Sequence, residues 1–399
     1  MIPRVVAITS LDEAAKEMCL IGSHPEGIKI MAEKGVWRAI KLFAVPPVPA
    51  NIIKQEMLSL GGEAALARGS LNHSVKTTDV LLFGTIRQQN LLLKKLLAHQ
   101  FGLPRVAQSV KEALDNYAQV PKPLRIGPLK MVFGKRTYLM GVLNVTPDSF
   151  SDGGQFIKKE DALRRAEAMI EEGADIIDIG GESTRPGARP VSAEEEKQRI
   201  IPVIKAVSRS KKVAVSVDTR KASVAAAAIE AGAEMINDVS GLRYDKKMAK
   251  TAAQAKVPVC LMHMRGVPQN MQDRPEYHDV MGEIINELQS SIAFAENAGI
   301  LLGKLIVDPG FGFGKTPENN LEILNNLKEL KVLGCPILIG PSRKSTIGKI
   351  LGLPEQERVE GTAAAVAIAV NNGADIIRAH DVKVMRRVMK MAEAIARRS

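Results

Sequence analysis

A short pattern of glycine, apolar and polar positions recurs along the last two thirds of the chain. EEGADIIDIGG (171–181), EAGAEMINDVSG (230–241) and NNGADIIRAHDV (371–382) each place Gly-Ala and an acidic residue before a short apolar run. A helical pattern precedes each glycine, which suits the left-handed position just after a helix. The repeat predicts helix-to-strand junctions, as in chains that alternate β and α units.

The same alternation predicts eight strands after residue 135, separated by helical stretches such as 158–172, 192–208, 221–231, 277–298, 317–331 and 382–397. Eight such units over about 260 residues are the size of an α/β fold of the (β/α)8 TIM-barrel type. A doubly wound sheet is the alternative, but it seldom needs so many regular units. The predicted strands are YLMGVLN (138–144), DIIDIGG (175–181), VAVSVD (213–218), EMINDV (234–239), VPVCLMH (257–263), KLIVDP (304–309), PILIG (336–340) and DIIRAH (375–380).

The start of the chain follows a different pattern, which predicts a small N-terminal α/β domain of unknown role over residues 1–120. The barrel domain then covers residues 121–399, and the proline-rich segment QVPKPLRIGP (119–128) marks the boundary. Predicted strands are RVVAIT (4–9), VWRAIKLFAV (36–45) and TDVLLFGT (78–85), and predicted helices are SLDEAAKEMCLIG from its cap Ser10, NLLLKKLLAHQFG (90–102) and VAQSVKEALDNYA (106–118).

Composition narrows the classes of function. Hydrophobic residues make up 45% of the chain and aromatic residues only 4%, which suits parallel strands covered by helices. The net charge is +11, but no run of five like charges occurs, so the pattern favours a solvated surface and a small anionic substrate over nucleic acid. Cys19, Cys260 and Cys335 form neither a disulfide framework nor a zinc spacing. Without a signal-peptide pattern or a membrane-length apolar run, we expect a cytoplasmic protein with no membrane contact.

Polar residues stand at the end of nearly every predicted barrel strand. Active sites of such barrels lie at this carboxyl-end face, so we expect the site there. A single Asx residue can instead cap a turn or a helix, and capping of the following helix is the alternative for Asp218 and Asp308. The strand-end residues are Asn144, Asp178, Asp218, Asn237, His263, Asp308, Arg378 and His380.

The stretch DPGFGFGKT (308–316) looks like a phosphate-binding loop but fails its spacing. Pro309 stands where the first glycine of G-x-x-x-x-G-K-[ST] belongs, and Lys315 replaces the last glycine of G-x-G-x-x-G. We therefore expect the glycines to let a strand-end loop pass close to a ligand that is not a nucleotide.

Eight motifs together resemble those of dihydropteroate synthases, in the expected order, from about residue 130 to the end. The resemblance implies a transferase of folate biosynthesis. Such an enzyme joins 6-hydroxymethyl-7,8-dihydropterin diphosphate to p-aminobenzoate and releases pyrophosphate and 7,8-dihydropteroate. It also implies Mg²⁺ as cofactor and a homodimer formed through barrel helices. The motifs are GVLNVTPDSFSDGG (141–154), GGESTRPGA (180–188), SVDTRK (216–221), INDVSG (236–241), LMHMRG (261–266), DPGFGFGK (308–315), GPSRKS (340–345) and RAHDV (378–382).

The chemistry of the pterin explains part of this set. Its edge alternates hydrogen-bond donors and acceptors, and a buried group left unpaired costs about 1–3 kcal/mol. Carboxylates and an amide at strand ends can match such an edge. By resemblance, the pterin contacts are Asp218, Asn237, Met262, Asp308, Gly340, Lys344 and Arg378.

The leaving diphosphate needs cations, and a guanidinium can bind phosphate oxygens in pairs. The diphosphate contacts implied by the resemblance are Asn144, Thr184, Arg378 and His380. Asn144 also resembles the Mg²⁺ ligand, and Asp148 and Asp152 are further candidates for the metal or for pairing with Arg185. Lys344, Arg378 and His380 are the implied catalytic residues.

The acceptor is a flat aromatic amine that carries a carboxylate, so it needs an apolar slot and an anion site. A helix predicted to begin at Ser342 can hold the carboxylate with its N–H groups. Pro341 departs from the family pattern, and it fixes the loop that enters Ser342. The acceptor contacts implied by the resemblance are Phe150, Thr184, Arg185, Pro186, Phe313 and Ser342.

Two other functions compete with this interpretation. A pterin-dependent methyltransferase also binds a pterin inside this type of barrel, but it has no pyrophosphate to hold. A degenerate barrel that binds without catalysis is the other alternative, and the presence of all the named residues argues against it. The N-terminal domain is interpreted as a scaffold, with a binding or assembly module as the alternative.

Overall fold

The computed structural model describes residues 2–146, 155–183, 189–266 and 275–396. The chain divides into two units, Met1–Ala118 and Gln119–Ser399. The segment predicted as the domain boundary opens the second unit, and its later residues form strand β4 (Leu124–Ile126).

Aliphatic runs form the barrel strands in the second unit, and every barrel strand predicted from the sequence is present. Their residues are almost all buried, as expected for parallel strands with helices on the outside. Within the described residues the eight strands are β6 (Tyr138–Asn144), β7 (Ile176–Gly180), β8 (Ala214–Asp218), β9 (Met235–Asp238), β10 (Val259–Met262), β11 (Leu305–Asp308), β12 (Leu338–Ile339) and β13 (Ile376–Ala379).

These strands close into a ring. Neighbours pair in parallel in chain order from β6 to β11, and β13 lies between β6 and β12. A parallel bridge between Val307 and Ile337, just before β12, joins the two ends. The TIM-barrel prediction is therefore confirmed, and the doubly wound alternative is wrong.

Helices separate the strands and end where the sequence predicts. Gly173, Gly232 and Gly373 follow helices and have φ of 99°, 110° and 91°, which a side chain would disfavour. The predicted helix 317–331 changes to a 3-10 helix after Asn326. No helix among the described residues is both long enough and apolar enough to cross a bilayer. The barrel helices are α6 (Gln155–Glu171), α7 (Ala193–Arg209), α8 (Ala222–Glu230), α9 (Met248–Ala255), α10 (Val280–Asn297), α11 (Pro317–Asn326), α12 (Ser345–Leu351), α13 (Val359–Asn371) and α14 (Val382–Ala396).

Inside the barrel, an apolar floor lies below a layer that is largely polar. The hairpin of β4 and β5 (Leu129–Met131) packs on the floor, whose strand residues are Met140, Ile176, Ala214, Met235, Cys260, Ile306, Leu338 and Ile376. Because side chains alternate along a strand, residues two positions further face the same interior. These second-layer residues are Val142, Asp178, Ser216, Asn237, Met262, Asp308, Gly340 and Arg378.

The N-terminal unit is an antiparallel sheet in the order β1-β3-β2 with helices packed on it. The helix capped by Ser10 and the predicted strands at 36–45 and 78–85 are confirmed. The elements of residues 2–118 are α1 (Leu11–Leu20), α2 (Pro25–Gly35), β1 (Trp37–Val45), α3 (Pro47–Ser59), β2 (Glu63–Leu66), β3 (Thr78–Thr85), α4 (Ile86–Leu97) and α5 (Leu103–Ala118).

The predicted strand at residues 4–9 is wrong. This segment pairs with no strand among the described residues, and Val5 is fully exposed. A short apolar run such as this one forms a strand only where a sheet supplies a partner and a face to cover.

Candidate active site

The Arg378 side chain in the polar layer of the barrel contacts two carboxylates. Its Nε lies 2.7 Å from Asp178 Oδ2, and its Nη2 lies 2.6 Å from Asp218 Oδ2. Asn237 donates to the same Asp178 oxygen at 2.8 Å. Burial alone would lower the pKa of Arg378, but the two carboxylates outweigh it and raise that pKa. The guanidinium is thus held as a permanent cation at the barrel mouth.

Two carboxylates at this end of the barrel, Asp308 in the layer and Asp218 at the end of β8, titrate near neutral pH. Burial raises the pKa of Asp218 to about 7 against the opposing effect of Arg378. Burial likewise raises the pKa of Asp308 to about 6, although Asp308 Oδ1 accepts a 2.7 Å hydrogen bond from the Gly310 N–H. A carboxylate with these properties in a cleft is a frequent mark of a functional site.

Neither of these two aspartates caps the helix that follows it, so the helix-capping alternative is wrong. The residue that precedes α8 is Lys221, and the Ala222 N–H donates to Asp245 rather than to Asp218. Helix α11 is capped by Thr316, eight positions after Asp308. Both aspartates therefore face the barrel interior for another purpose.

The glycine-rich loop after β11 brings an aromatic ring to the polar layer. A side chain at Gly310 would place its Cβ 1.8 Å from the His263 carbonyl oxygen, and Gly310 has φ of 69°. Only glycine permits this close approach. Phe313 then packs with Met262 in one cluster, and Lys344 Nζ lies 4.0 Å from the centre of its ring. The predicted pterin and acceptor residues are thus adjacent here.

His380 and Ser342 form a second pair at the end of β13. Ser342 Oγ accepts from the His380 N–H at 3.2 Å and lies 3.0 Å from His380 Nδ1. Burial, then Arg378 and Lys344, lower the pKa of His380 to about 3. The ring is therefore neutral at physiological pH. The neutral ring and the Ser342 hydroxyl therefore share one hydrogen bond between Nδ1 and Oγ.

The predicted start of a helix at Ser342 is wrong. Helix α12 begins at Ser345 after Lys344, whose backbone is extended. Arg343 has φ of 55°, in the left-handed region, so the helix cannot extend back through it. Arg343 also pairs with Asp381 at 2.9 Å, which fixes the loop. Ser342 is held by His380 and not by a helix terminus.

The other predicted site residues divide into two groups. Asn144 ends β6 on the inward-facing register and is partly exposed, and a Cβ placed on Gly340 would lie 3.5 Å from the Arg378 Cβ. The remaining residues lie outside the described part of the chain: Asp148, Phe150, Asp152, Thr184, Arg185 and Pro186.

Several motif residues serve to hold the loops rather than to line the barrel. Glu182 accepts from Arg220 at 2.9 Å and from Lys221 at 2.5 Å. Lys221 also pairs with the buried Glu196 at 2.5 Å. These contacts join the loop after β7 to the loop after β8, at the same face as the polar layer.

Sequence reasoning gave no role to Asp178, although the two-residue step from an apolar floor residue could have singled it out. It also missed a chain of polar side chains beside the glycine-rich loop. Lys315 Nζ lies 3.0 Å from His263 Nδ1, and His263 Nε2 lies 3.3 Å from Glu287 Oε2. Glu287 is on α10, and nothing in its sequence context marks it.

Comparison with known proteins agrees with this geometry. The family model described as Pterin binding enzyme matches residues 140–380. A dihydropteroate synthase from Synechocystis sp. is 49% identical over 278 residues, which cover 69% of this chain and 96% of that protein. The chain belongs to the dihydropteroate synthase family. It is a transferase that condenses 6-hydroxymethyl-7,8-dihydropterin diphosphate with p-aminobenzoate to give 7,8-dihydropteroate and pyrophosphate.

Two further relatives bear on the organisation of the chain. A dihydropteroate synthase from Xanthomonas albilineans, solved with 4-aminobenzoic acid, is 43% identical with a TM-score of 0.65 and covers 69% of this chain and 98% of that one. A probable bifunctional folylpolyglutamate synthase/dihydropteroate synthase from Halobacterium salinarum is 42% identical over 97% of this chain, which spans 46% of that protein. The Xanthomonas enzyme therefore matches about two thirds of the chain, whereas the Halobacterium protein matches nearly all of it.

Proposed function

We propose that the polar layer of the barrel reads the edge of the dihydropterin. Asp218 and Asp308 accept from its N–H groups, and Asn237, fixed by Asp178, offers an amide to the remaining positions. Met262 covers the ring from below, with Gly340 and Lys344 beside it. The observation that carries this proposal is the pair of buried carboxylates at the end of the barrel, whose pKa values are raised by burial.

Arg378 and His380 hold the diphosphate in this proposal. Arg378 is a permanent cation at the carboxyl end of β13, and His380 two positions later adds a neutral imidazole. Donors placed where charge develops on a leaving group stabilise the transition state without reorganisation. Thr184 is a further candidate contact from the sequence.

The acceptor lies between Phe313 and the residues predicted from the loops, which are Phe150, Thr184, Arg185 and Pro186. Ser342 supplies a hydroxyl for its carboxylate. The related Xanthomonas enzyme was solved with 4-aminobenzoic acid, which supports this choice of acceptor. Lys344 Nζ lies over the Phe313 ring, so this one ammonium group borders both the proposed acceptor slot and the proposed pterin site.

The chemistry proposed for these residues is orientation and charge stabilisation. The bond from the pterin methylene carbon to the diphosphate oxygen breaks ahead of attack by the neutral amine, and the amine loses its proton to solvent. Arg378 stabilises the departing anion, and Asp218 and Asp308 face the cationic dihydropterin. Lys344 modulates that cation from its position beside the ring.

Mg²⁺ is the proposed cofactor, with Asn144 as its protein ligand. An amide oxygen at the inward end of β6 suits a hard cation, and Mg²⁺ is often held by one or two protein oxygens together with substrate phosphates and water. The described residues contain no group of three or more His, Cys, Asp or Glu that could hold a metal alone. When bound, Mg²⁺ would neutralise charge on the diphosphate.

The proposed assembly is a homodimer in the cytoplasm. Exposed apolar side chains lie on α11, α12 and α13, which pack against one another. Leu321, Ile350, Leu351 and Ile368 are about half exposed, at 49%, 53%, 47% and 49%. A homodimer through these helices would cover them. The three cysteines are free thiols, which suits a reducing compartment.

Ile350→Glu combined with Ile368→Glu will weaken self-association by at least about 100-fold, since an uncompensated charge buried in an interface costs about 3–5 kcal/mol. Light scattering coupled to size exclusion measures this, with Leu301→Glu, at another exposed apolar residue, as the matched control. A wild-type protein that is monomeric at all concentrations would show that these helices form no dimer.

The function is tested by following both products. With both substrates and Mg²⁺, the full chain will form dihydropteroate and pyrophosphate in equal amounts, and chelation of Mg²⁺ will stop both. A protein of residues 119–399 will do the same, because the Synechocystis relative is almost wholly covered by the barrel part. No product from folded full-length protein would contradict the assignment, and activity lost only in the shorter protein would give the N-terminal unit a role in catalysis.

A further inference from the structure

The loop after β11 is built around a buried ammonium group. Lys315 is 2% exposed, and its Nζ donates to the Phe313 carbonyl at 3.0 Å and contacts His263 Nδ1 at 3.0 Å. A Cβ placed on Gly310 would lie 3.4 Å from the same Nζ. The loop therefore folds back over the cation that follows it in sequence.

This loop carries one residue of each proposed ligand site. Asp308 begins it, and its carboxylate accepts from the Gly310 N–H at 2.7 Å. Phe313 lies near its end, and the Phe313 N–H donates back to the Gly310 carbonyl at 3.0 Å. Two consecutive hydrogen bonds thus connect Phe313 to Gly310 and Gly310 to Asp308, so the positions of Phe313 and Asp308 depend on each other.

The ammonium is held from outside the loop as well. His263 follows β10 and is itself buried, and burial, then Lys315, lower the pKa of His263 to about 4, so the ring is neutral. Its Nε2 approaches Glu287 at 3.3 Å, outside the geometry of a hydrogen bond, so this contact is electrostatic. Glu287 in turn accepts from Arg243 at 2.8 Å and from Arg265 at 3.0 Å. This network anchors the cation to α10.

We propose that Lys315 is a positioning residue whose ammonium, held between His263 and the Phe313 carbonyl, fixes Asp308 against the dihydropterin and Phe313 against the aromatic acceptor. This inference rests on the proposed assignment of those two residues. It also gives a purpose to the lysine of the DPGFGFGKT stretch, which the binding roles above leave unused.

A purely apolar side chain could fill the same volume, but it could not donate to the Phe313 carbonyl or contact His263 Nδ1 as the Lys315 ammonium does. Burial lowers the pKa of Lys315 to about 7, while Asp308 and Glu287 oppose that effect. The negative charges of Asp308 and Glu287 therefore stabilise the protonated form of Lys315, which loses its proton above neutral pH. The charged and titratable groups around Nζ are Asp308 at the end of β11, His263 and Arg265 after β10, Arg243 after β9, and Glu287 on α10.

The test compares Lys315→Met with Lys331→Met in the full chain. Lys331 is a partly buried lysine on the 3-10 helix after α11, and burial lowers its pKa as well, so it is a matched control outside the site. Binding of 6-hydroxymethyl-7,8-dihydropterin is measured by calorimetry, the KM for p-aminobenzoate by product formation, and stability by thermal melting. Lys315→Met will raise the pterin Kd and the acceptor KM by roughly tenfold with a smaller change in kcat, because orientation is lost rather than a reacting group.

The pH dependence separates positioning from mere structural support. From pH 7 to 9 the wild-type pterin Kd will rise severalfold as Lys315 loses its proton, whereas the Kd of Lys315→Met will lack this component. Titration of the ligand itself would appear equally in both proteins. If Lys315→Met does not fold, Lys315→Gln takes its place, since it keeps a donor to the Phe313 carbonyl but lacks the charge.

Equal melting losses in the two variants, with pterin Kd, acceptor KM and pH profile unchanged in the Lys315 variant, would overturn the inference. In that outcome wild-type protein still binds dihydropterin, so the proposed function stands. Wild-type protein that fails to bind dihydropterin would instead overturn the site assignment together with this inference.

Discussion

Asp308→Asn will lower kcat/KM for the pterin diphosphate by roughly 10- to 150-fold, since a buried hydrogen bond to a charged group contributes about 1.5–3 kcal/mol. Asparagine keeps the shape of the side chain, and its oxygen can still accept from the Gly310 N–H. Its NH2 group, however, meets a pterin N–H where the carboxylate offered an acceptor. The loss will lie mainly in KM, and calorimetry with 6-hydroxymethyl-7,8-dihydropterin checks it independently of turnover.

Asp238→Asn is the matched control for this variant. Asp238 is also a fully buried aspartate at a strand end, and burial raises its pKa. Its two oxygens accept from the Ser240 and Leu242 N–H groups at 2.8 and 3.0 Å, in a register that faces away from the barrel interior. The control will lose stability but keep its pterin affinity. If Asp308→Asn also loses only stability, Asp308 anchors its loop and does not contact the pterin.

The pH dependence of wild-type protein gives the same information without a mutation. As the pH falls through about 6, Asp308 gains a proton in the free protein and the pterin Kd rises. The free protein, in contrast to its affinity for the pterin, becomes more stable as the pH falls. The folded pKa lies above the unfolded value of about 3.9, so the folded state binds more protons between these values. This contribution to the free energy of unfolding is fully present below about pH 4 and is lost as the pH rises through about 6. Asp308→Asn will lack both effects.

The sequence predicted the barrel well because two strong local signals coincide there. Glycines such as Gly173 mark the helix ends, and apolar runs after them are buried on both faces. The polar layer follows from the same pattern, since each of its residues stands two positions after a floor residue. That spacing by itself is enough to group Asp178 with Asp308 and Arg378, and Asp218 stands one inward step beyond the layer residue Ser216.

The rest of the site depends on contacts that no local pattern records. Lys315 meets Glu287 through His263, from three separate elements. The start of α12 depends on the left-handed backbone of Arg343, a conformation uncommon for a residue with a side chain. In the first unit, RVVAIT has the short β-branched apolar run of a strand, but pairing depends on a partner that the sequence does not specify.

Arg378→Met will reduce kcat/KM by about 100- to 1000-fold, as expected when one donor to a developing anion is removed. It will also destabilise the protein at pH 8.5 by about 3–5 kcal/mol, since Asp178 and Asp218 would then be buried without their counter-charge. At pH 6 the defect in stability will be smaller, because a carboxylate with a raised pKa takes up a proton in place of the cation. Urea unfolding at the two pH values measures this difference. Arg386→Met, which removes a 3.4 Å contact to Asp175 away from the polar layer, is the control and will change each quantity less.

A double variant separates the two tasks of Arg378. Adding Asp178→Asn to Arg378→Met removes one of the stranded charges and keeps a side chain of the same shape. Stability will recover in part, because the remaining carboxylate no longer faces a second one. Activity will stay low, because the donor to the diphosphate is still missing. Recovery of activity together with stability would show that Arg378 acts only by neutralising the carboxylates, and the leaving group would then have to be stabilised by His380 and the metal alone.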